Sequence, residues 1–190
     1  MSQELIPVSA IGRVLLRFFW QTSLALLLSI GIALGLAWGF GPPPASGYSS
    51  LPTVFFLSGF PMIIAGGTLS FAMNTADTPR RKLRLSLPLI FGAIFLGWQS
   101  YAVWCLSLVQ ADVQNGRLLI VILFATAHLL CVFAVFLLFS FAYAQSLERS
   151  QPENEETQRQ DRFLFLACAV GWYLLGMGWV GLLCLFAVLT

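Results

Sequence analysis

The sequence predicts an all-α integral membrane bundle of five transmembrane helices, its amino terminus cytoplasmic and its carboxyl terminus exterior. Of its 190 residues, 58% are hydrophobic and only 9% are charged, whereas a soluble domain carries charge on about a quarter of its positions. The mean hydropathy is +0.85, and long apolar runs separate short charged stretches, so water is not the solvent for most of the chain. Nine of the ten Lys and Arg residues lie in segments that five crossings place on one side, leaving Arg117 alone on the other. That asymmetry sets the orientation by the positive-inside rule.

Windows long enough to cross about 30 Å of hydrocarbon at about 1.5 Å per residue fall at residues 16–40, 51–74, 85–109, 118–145 and 163–189. Together they make residues 1–190 a single transmembrane domain. The first span stops at Pro42-Pro43-Pro44, where the backbone loses its donors. Its apolar part exceeds the 7–15 residues of a signal-peptide core, so it reads as a retained span. The second opens with Ser49-Ser50-Leu51-Pro52, a capping hydroxyl followed by proline in the first turn. Pro61 lies inside it and should kink it unless neighbours satisfy the freed carbonyl. Arg80, Arg81, Lys82 and Arg84 flank the third span, and a short polar turn around Asn115-Gly116 leads into the fourth. Residues 146–162 hold five acids and three bases and read as a solvated cytoplasmic linker with some frayed helix.

The composition excludes a soluble enzyme, and a net charge of +2 with scattered bases makes no nucleic-acid groove. Cys105, Cys131, Cys168 and Cys184 lie in apolar runs without a CxxC pair and read as small packing residues. The one histidine, His128, cannot by itself supply a site needing two imidazoles. No Asp or Glu falls within a span, and Arg17 and Arg84 lie close enough to the interface to snorkel, which disfavours a proton-coupled transporter working through this chain alone. A small channel or transporter would need a polar pathway, and only scattered Ser, Thr, Gln, Tyr and one His are on offer.

The residues that stand out are therefore packing and contact candidates. Gly31, Gly35 and Gly39 recur at every fourth position, which puts them on one helical face and invites close approach by another helix, a partner or lipid. Gly59, Gly66 and Gly67 in the second span and Gly171, Gly178 and Gly181 in the fifth offer further close approaches. His128 in the fourth span needs a hydrogen-bond partner away from water, and Gln99, Ser100 and Tyr101 of the third span are candidates. Trp38 suits an interfacial belt, whereas Trp98, Trp172 and Trp179 are placed for core or partner packing.

Three stretches taken together resemble subunit III of the haem-copper respiratory oxidases, in its short five-helix bacterial form. Phe95-Leu96-Gly97-Trp98-Gln99-Ser100-Tyr101-Ala102 resembles that family's F-L-x-x-Q-x-Y-E. His128-Leu129-Leu130-Cys131-Val132 resembles its H-x-L-H-V, and Gly171 to Trp179 follow the frame of Y-W-H-F-x-D-x-x-W. The order and spacing of the three frames carry the resemblance, which covers roughly residues 50–190. The family's glutamate falls on Ala102, its second histidine on Cys131, its third on Tyr173 and its aspartate on Gly176. Gln99, His128, Trp172 and Trp179 map directly.

The resemblance implies a non-catalytic subunit without a cofactor of its own, supporting the assembly or stability of a redox subunit that holds the haem and copper. Its partners would be the redox-active and other subunits of a membrane oxidase in aerobic respiratory electron transport, together with membrane lipids, and its expected location a cell inner (plasma) membrane. The related accessory protein of a nitric oxide reductase shares the helical pattern and is the alternative.

Overall fold

The computed structural model describes residues 8–40, 51–73, 78–113, 116–148 and 155–189, all of them helical. The five helices are α1 (Val8–Phe40), α2 (Leu51–Met73), α3 (Thr78–Val113), α4 (Gly116–Glu148) and α5 (Glu155–Leu189). Each contains a stretch long and apolar enough to cross a membrane. Helix is what such sequences must form in hydrocarbon, because only there does every backbone N–H find its carbonyl within the segment. α1 ends at Phe40, immediately before Gly41 and the three prolines. α2 and α3 each carry proline as their second residue, where a missing N–H costs nothing.

Four of the five helices are longer than a single crossing requires. At about 1.5 Å per residue, the 33–36 residues of α1, α3, α4 and α5 run to roughly 50 Å, well beyond the hydrocarbon. Within residues 146–162, α4 continues to Glu148 and α5 begins at Glu155. Pro61 and Pro88 both lie inside continuous helices, and both are buried.

Helices α2, α3, α4 and α5 close a four-membered ring in which each packs on its chain neighbour and α5 returns to α2. α1 stands outside that ring and packs on α3 and α4. Burial follows the same division, since 61% of the α3 span is buried against 11% of the α1 span. One apolar cluster, around Met62, Leu89, Phe95, Phe136, Phe165 and Trp172, fills the ring. A second, around Phe55, Ala102, Leu106, Leu118, Val121 and Leu182, fills the end where α2 starts and α5 finishes. At the opposite end the Arg84 guanidinium lies over the Phe71 ring, 4.4 Å from its centroid, joining α2 to α3.

Glycines decide where the helices touch. The α2–α5 contact is built on two of them: Trp179 covers Gly59 so closely that a Cβ there would overlap the indole, and a Cβ on Gly66 would come 3.1 Å from Trp172 Cδ1. Gly59 and Gly66 are seven apart, as are Trp172 and Trp179, so two antiparallel helices meet twice, at matching two-turn intervals. Trp172 also reaches Gly92 of α3, where a Cβ would lie 3.2 Å from its ring and 3.0 Å from Phe136.

The glycine face of α1 behaves otherwise. Gly31, Gly35 and Gly39 have open space where a Cβ would stand, so they do not form the close contact of α1 within this chain. That contact is made from the other partner: a Cβ on Gly97 of α3 would lie 2.5 Å from the Ser29 carbonyl oxygen and 3.0 Å from Ile32 Cβ. Ser29 Oγ donates to the Ala93 carbonyl at 2.8 Å, and Thr22 and Ser140 hydroxyls pair at 3.1 Å between α1 and α4. Phe18 meets Phe141 edge-on at 5.8 Å beside that pair.

The two glycine sets are separable by experiment. Gly97→Leu should overpack the α1–α3 contact and cost about 1–3 kcal/mol, read as a lower midpoint in detergent unfolding of the purified chain. Gly35→Leu should leave that midpoint unchanged. Equal effects would show that α1 is held through its glycine face after all.

Candidate functional site

The residues that the sequence singled out in α3, α4 and α5 converge on a buried polar layer. Its hub is Ser58 of α2, fully buried one turn before Pro61. Gln99 of α3 donates from Nε2 to Ser58 Oγ at 2.8 Å, and the Trp179 indole N–H of α5 donates to the same oxygen at 3.2 Å. Ser58 in turn donates to the Phe55 carbonyl at 2.6 Å. A hydroxyl offers one hydrogen and two lone pairs; here all three are used, and three helices are tied at one atom.

α4 joins through His128, whose Nε2 lies 2.9 Å from the Leu175 carbonyl of α5. Leu175 is one turn before Trp179 on the same helix. The imidazole also meets Phe95 of α3 edge-on, with centroids 6.4 Å apart and planes at 84°, and Phe95 is one turn before Gln99. A closed circuit therefore runs from α3 to α2, α5, α4 and back. On each helix of the ring it lies between the two apolar clusters: Ser58 between Phe55 and Met62, Gln99 between Leu96 and Tyr101, His128 between Ala125 and Val132, Trp179 beside Leu182.

The geometry corrects one expectation. His128 does not pair with Gln99, Ser100 or Tyr101; its partner is a backbone carbonyl on α5. Gln99 turns to α2 instead, and Ser100 satisfies itself on the Leu96 carbonyl of its own helix at 2.8 Å. Tyr101 sits in the second apolar cluster, its ring 5.9 Å from that of Trp104. Trp172 belongs to the α2–α5 contact below the polar layer, its indole N–H donating to the Met62 carbonyl at 3.0 Å.

The positions where the oxidase frame has polar residues are otherwise occupied. Ala102 is completely buried in the mostly apolar second cluster, where loss of hydration would oppose a carboxylate's charge. Cys131 is exposed on the outside of α4. Tyr173 is 54% exposed and pairs its hydroxyl with that of Ser70 at 2.6 Å. A Cβ on Gly176 would come 3.8 Å from Met62 Cε. Trp38 is 94% exposed, as a belt residue would be, and Cys105 and Cys168 are buried in the core, whereas Cys184 is exposed. Among the described residues, no three His, Cys, Asp or Glu side chains come together as a metal-binding group.

Sequence reasoning missed the hub. Ser58 looks like any small polar residue in a span, and its role depends on three helices meeting. The matched seven-residue spacings of Gly59 and Gly66 with Trp172 and Trp179 were the available signal. Compared with protein-family models, with curated proteins and with solved structures, the chain matches none.

The layer combines direct hydrogen bonding with indole-on-glycine packing and offers no open polar path among the contacts described; its chemistry is that of a clasp. Ser58→Ala should leave two buried donors without their acceptor and cost about 1–3 kcal/mol of bundle stability. Ser107→Ala, which removes an exposed hydroxyl bonded to its own helix at the Val103 carbonyl, should stay within about 0.5 kcal/mol of wild type. Detergent-titrated unfolding followed by circular dichroism measures both, and a neutral Ser58→Ala would refute the clasp.

Proposed function

We propose that this chain is a non-catalytic, subunit III-like component of a haem-copper terminal oxidase, packing against the redox-active subunit and supporting its assembly or stability. One observation carries the reading. Three frames that resemble the oxidase subunit lie far apart in sequence, and three of the four residues that map onto them directly, Gln99, His128 and Trp179, lie in one layer whose hydrogen bonds and one ring contact link four helices, while the fourth, Trp172, bonds the Met62 carbonyl beside it. Such a convergence gives the spacing of the frames a physical reason. Haem and copper reside in the partner; the lone histidine of this chain is engaged in holding two of its own helices together.

In this reading the outward face of α1, with Gly31, Gly35 and Gly39 unobstructed, is available to a partner helix or to lipid, since small residues let backbones approach closely in a bilayer. The chain lies in the cell inner (plasma) membrane with its amino terminus in the cytoplasm, as the nine-to-one division of basic residues supports.

Purification of the tagged full-length chain in mild detergent should bring down a haem-containing oxygen-reducing complex, and the chain stripped of its partners should show no haem absorbance. Recovery of a nitric oxide reductase would move the assignment to the alternative partner, and recovery of no redox protein would overturn it. Topology is tested separately. Reporter fusions after Gly47, Asn115 and Thr190 should report the exterior, and fusions after Pro79 and Glu155 the cytoplasm. The reverse pattern would sink the orientation.

A further inference from the structure

We infer that His128 is the latch of the α4–α5 seam, held as the Nε2–H tautomer, and that it positions Trp179 rather than presenting a lone pair to a metal or haem. The tautomer follows from the partner. A carbonyl oxygen can only accept, so the 2.9 Å contact between Nε2 and the Leu175 oxygen requires the proton on Nε2. The lone pair is then on Nδ1, which is buried and meets no donor. A ligand would have to displace protein to reach it.

The ring is fixed from both sides. On α5, Gly178 lets the imidazole lie against the backbone: a Cβ there would be 3.3 Å from Cδ2 and 3.7 Å from Nε2. On α3, the Phe95 edge closes the other side. The contacts described on the ring from these two helices are a carbonyl, a glycine and a phenyl edge.

The latch acts on Trp179 through the main chain. In an α-helix the Leu175 carbonyl also accepts the backbone N–H four residues on, which is that of Trp179. One oxygen, with two lone pairs, thus receives both the imidazole of α4 and the amide of the residue whose indole reaches Ser58 of α2. His128 sets the depth of Trp179 along α5, and through it the register of α5 on α2. This role follows from the ring of helices and holds whichever membrane complex the chain joins.

Because the chain has one histidine, its imidazole nitrogens give an unambiguous magnetic resonance signature. The full-length protein, labelled with ¹⁵N-histidine and ¹⁵N-tryptophan in lipid nanodiscs at neutral pH, should show a protonated Nε2 and a bare Nδ1, unchanged by added Zn²⁺. A proton on Nδ1, a doubly protonated ring, or a shift of the bare nitrogen on adding Zn²⁺ would each overturn the assignment. His128→Gln, whose amide can still donate, should preserve the Trp179 indole N–H resonance. His128→Leu should displace that resonance while leaving that of Trp172 in place. If both variants leave the Trp179 resonance where it was, His128 does not position it. The wild-type spectrum decides the tautomer even if His128→Leu fails to fold.

Discussion

Everything in this bundle follows from the fact that hydrocarbon gives helices no reason to prefer one another over lipid. Lipid tails are as apolar as leucine, so burial of apolar surface, the main drive of soluble folding, does not bring transmembrane helices together. What remains is contact at close range and the satisfaction of polar groups. The α2–α5 contact uses both at the same residues: two indoles lie on two glycines, and each indole N–H finds an acceptor on α2. A single interhelical hydrogen bond in a membrane contributes about 0.6 kcal/mol on average, too little to hold a helix in place. A hydroxyl that takes two donors while donating a third bond, inside a ring closed by a histidine, spreads that small contribution over four helices. Loss of Ser58 strands both of its donors, and stranded buried groups cost more than the bonds contribute.

The same constraint explains why α1 is held differently. It lies outside the ring and touches α3 and α4 along one narrow stripe, where small residues and hydroxyls do the work: Ser29 on Ala93, Thr22 on Ser140, and the α1 backbone against Gly97. The opposite face, with the three glycines, Leu27 and Leu34, is exposed. In water such a face would be an aggregation hazard. In a bilayer it is simply lipid-facing, so exposure alone does not identify a partner surface, and the case for a partner on α1 rests on the glycine spacing.

How far the fold was legible follows from the same physics. Five spans could be read because length and apolarity are properties of a single helix, and the membrane sets the length. The packing order could not be read that way. Apolar side chains cover nearly every face of these spans, so the periodic contrast that tells the inward side of a soluble helix from the outward side is weak. Small and polar residues carried the remaining information, and they are ambiguous one at a time. The α1 glycines satisfied the spacing rule for close approach, yet the approach is made through Gly97, in a helix with no such run. His128 was recognised as needing a partner across a helix boundary, but a backbone carbonyl leaves no mark in the sequence, so side chains were the only candidates to name.

The polar layer also gives a physical account of the departures from the oxidase frame. At Ala102 a carboxylate would have to enter a fully buried, mostly apolar cluster, where loss of hydration opposes its charge. At Tyr173 the hydroxyl is taken up by Ser70, and the space near Gly176 lets Met62 close in. The positions that coincide with the frame, by contrast, are ones whose side chains join helices: an amide on a hydroxyl, an imidazole on a carbonyl, indoles on a hydroxyl and a carbonyl. A sequence with joining residues at Gln99, His128, Trp172 and Trp179 and packing residues around them specifies a bundle with a defined internal geometry. For a subunit proposed to stand beside a redox centre without entering its chemistry, a fixed shape in the membrane is the property that matters, and the circuit through Ser58 is what fixes it.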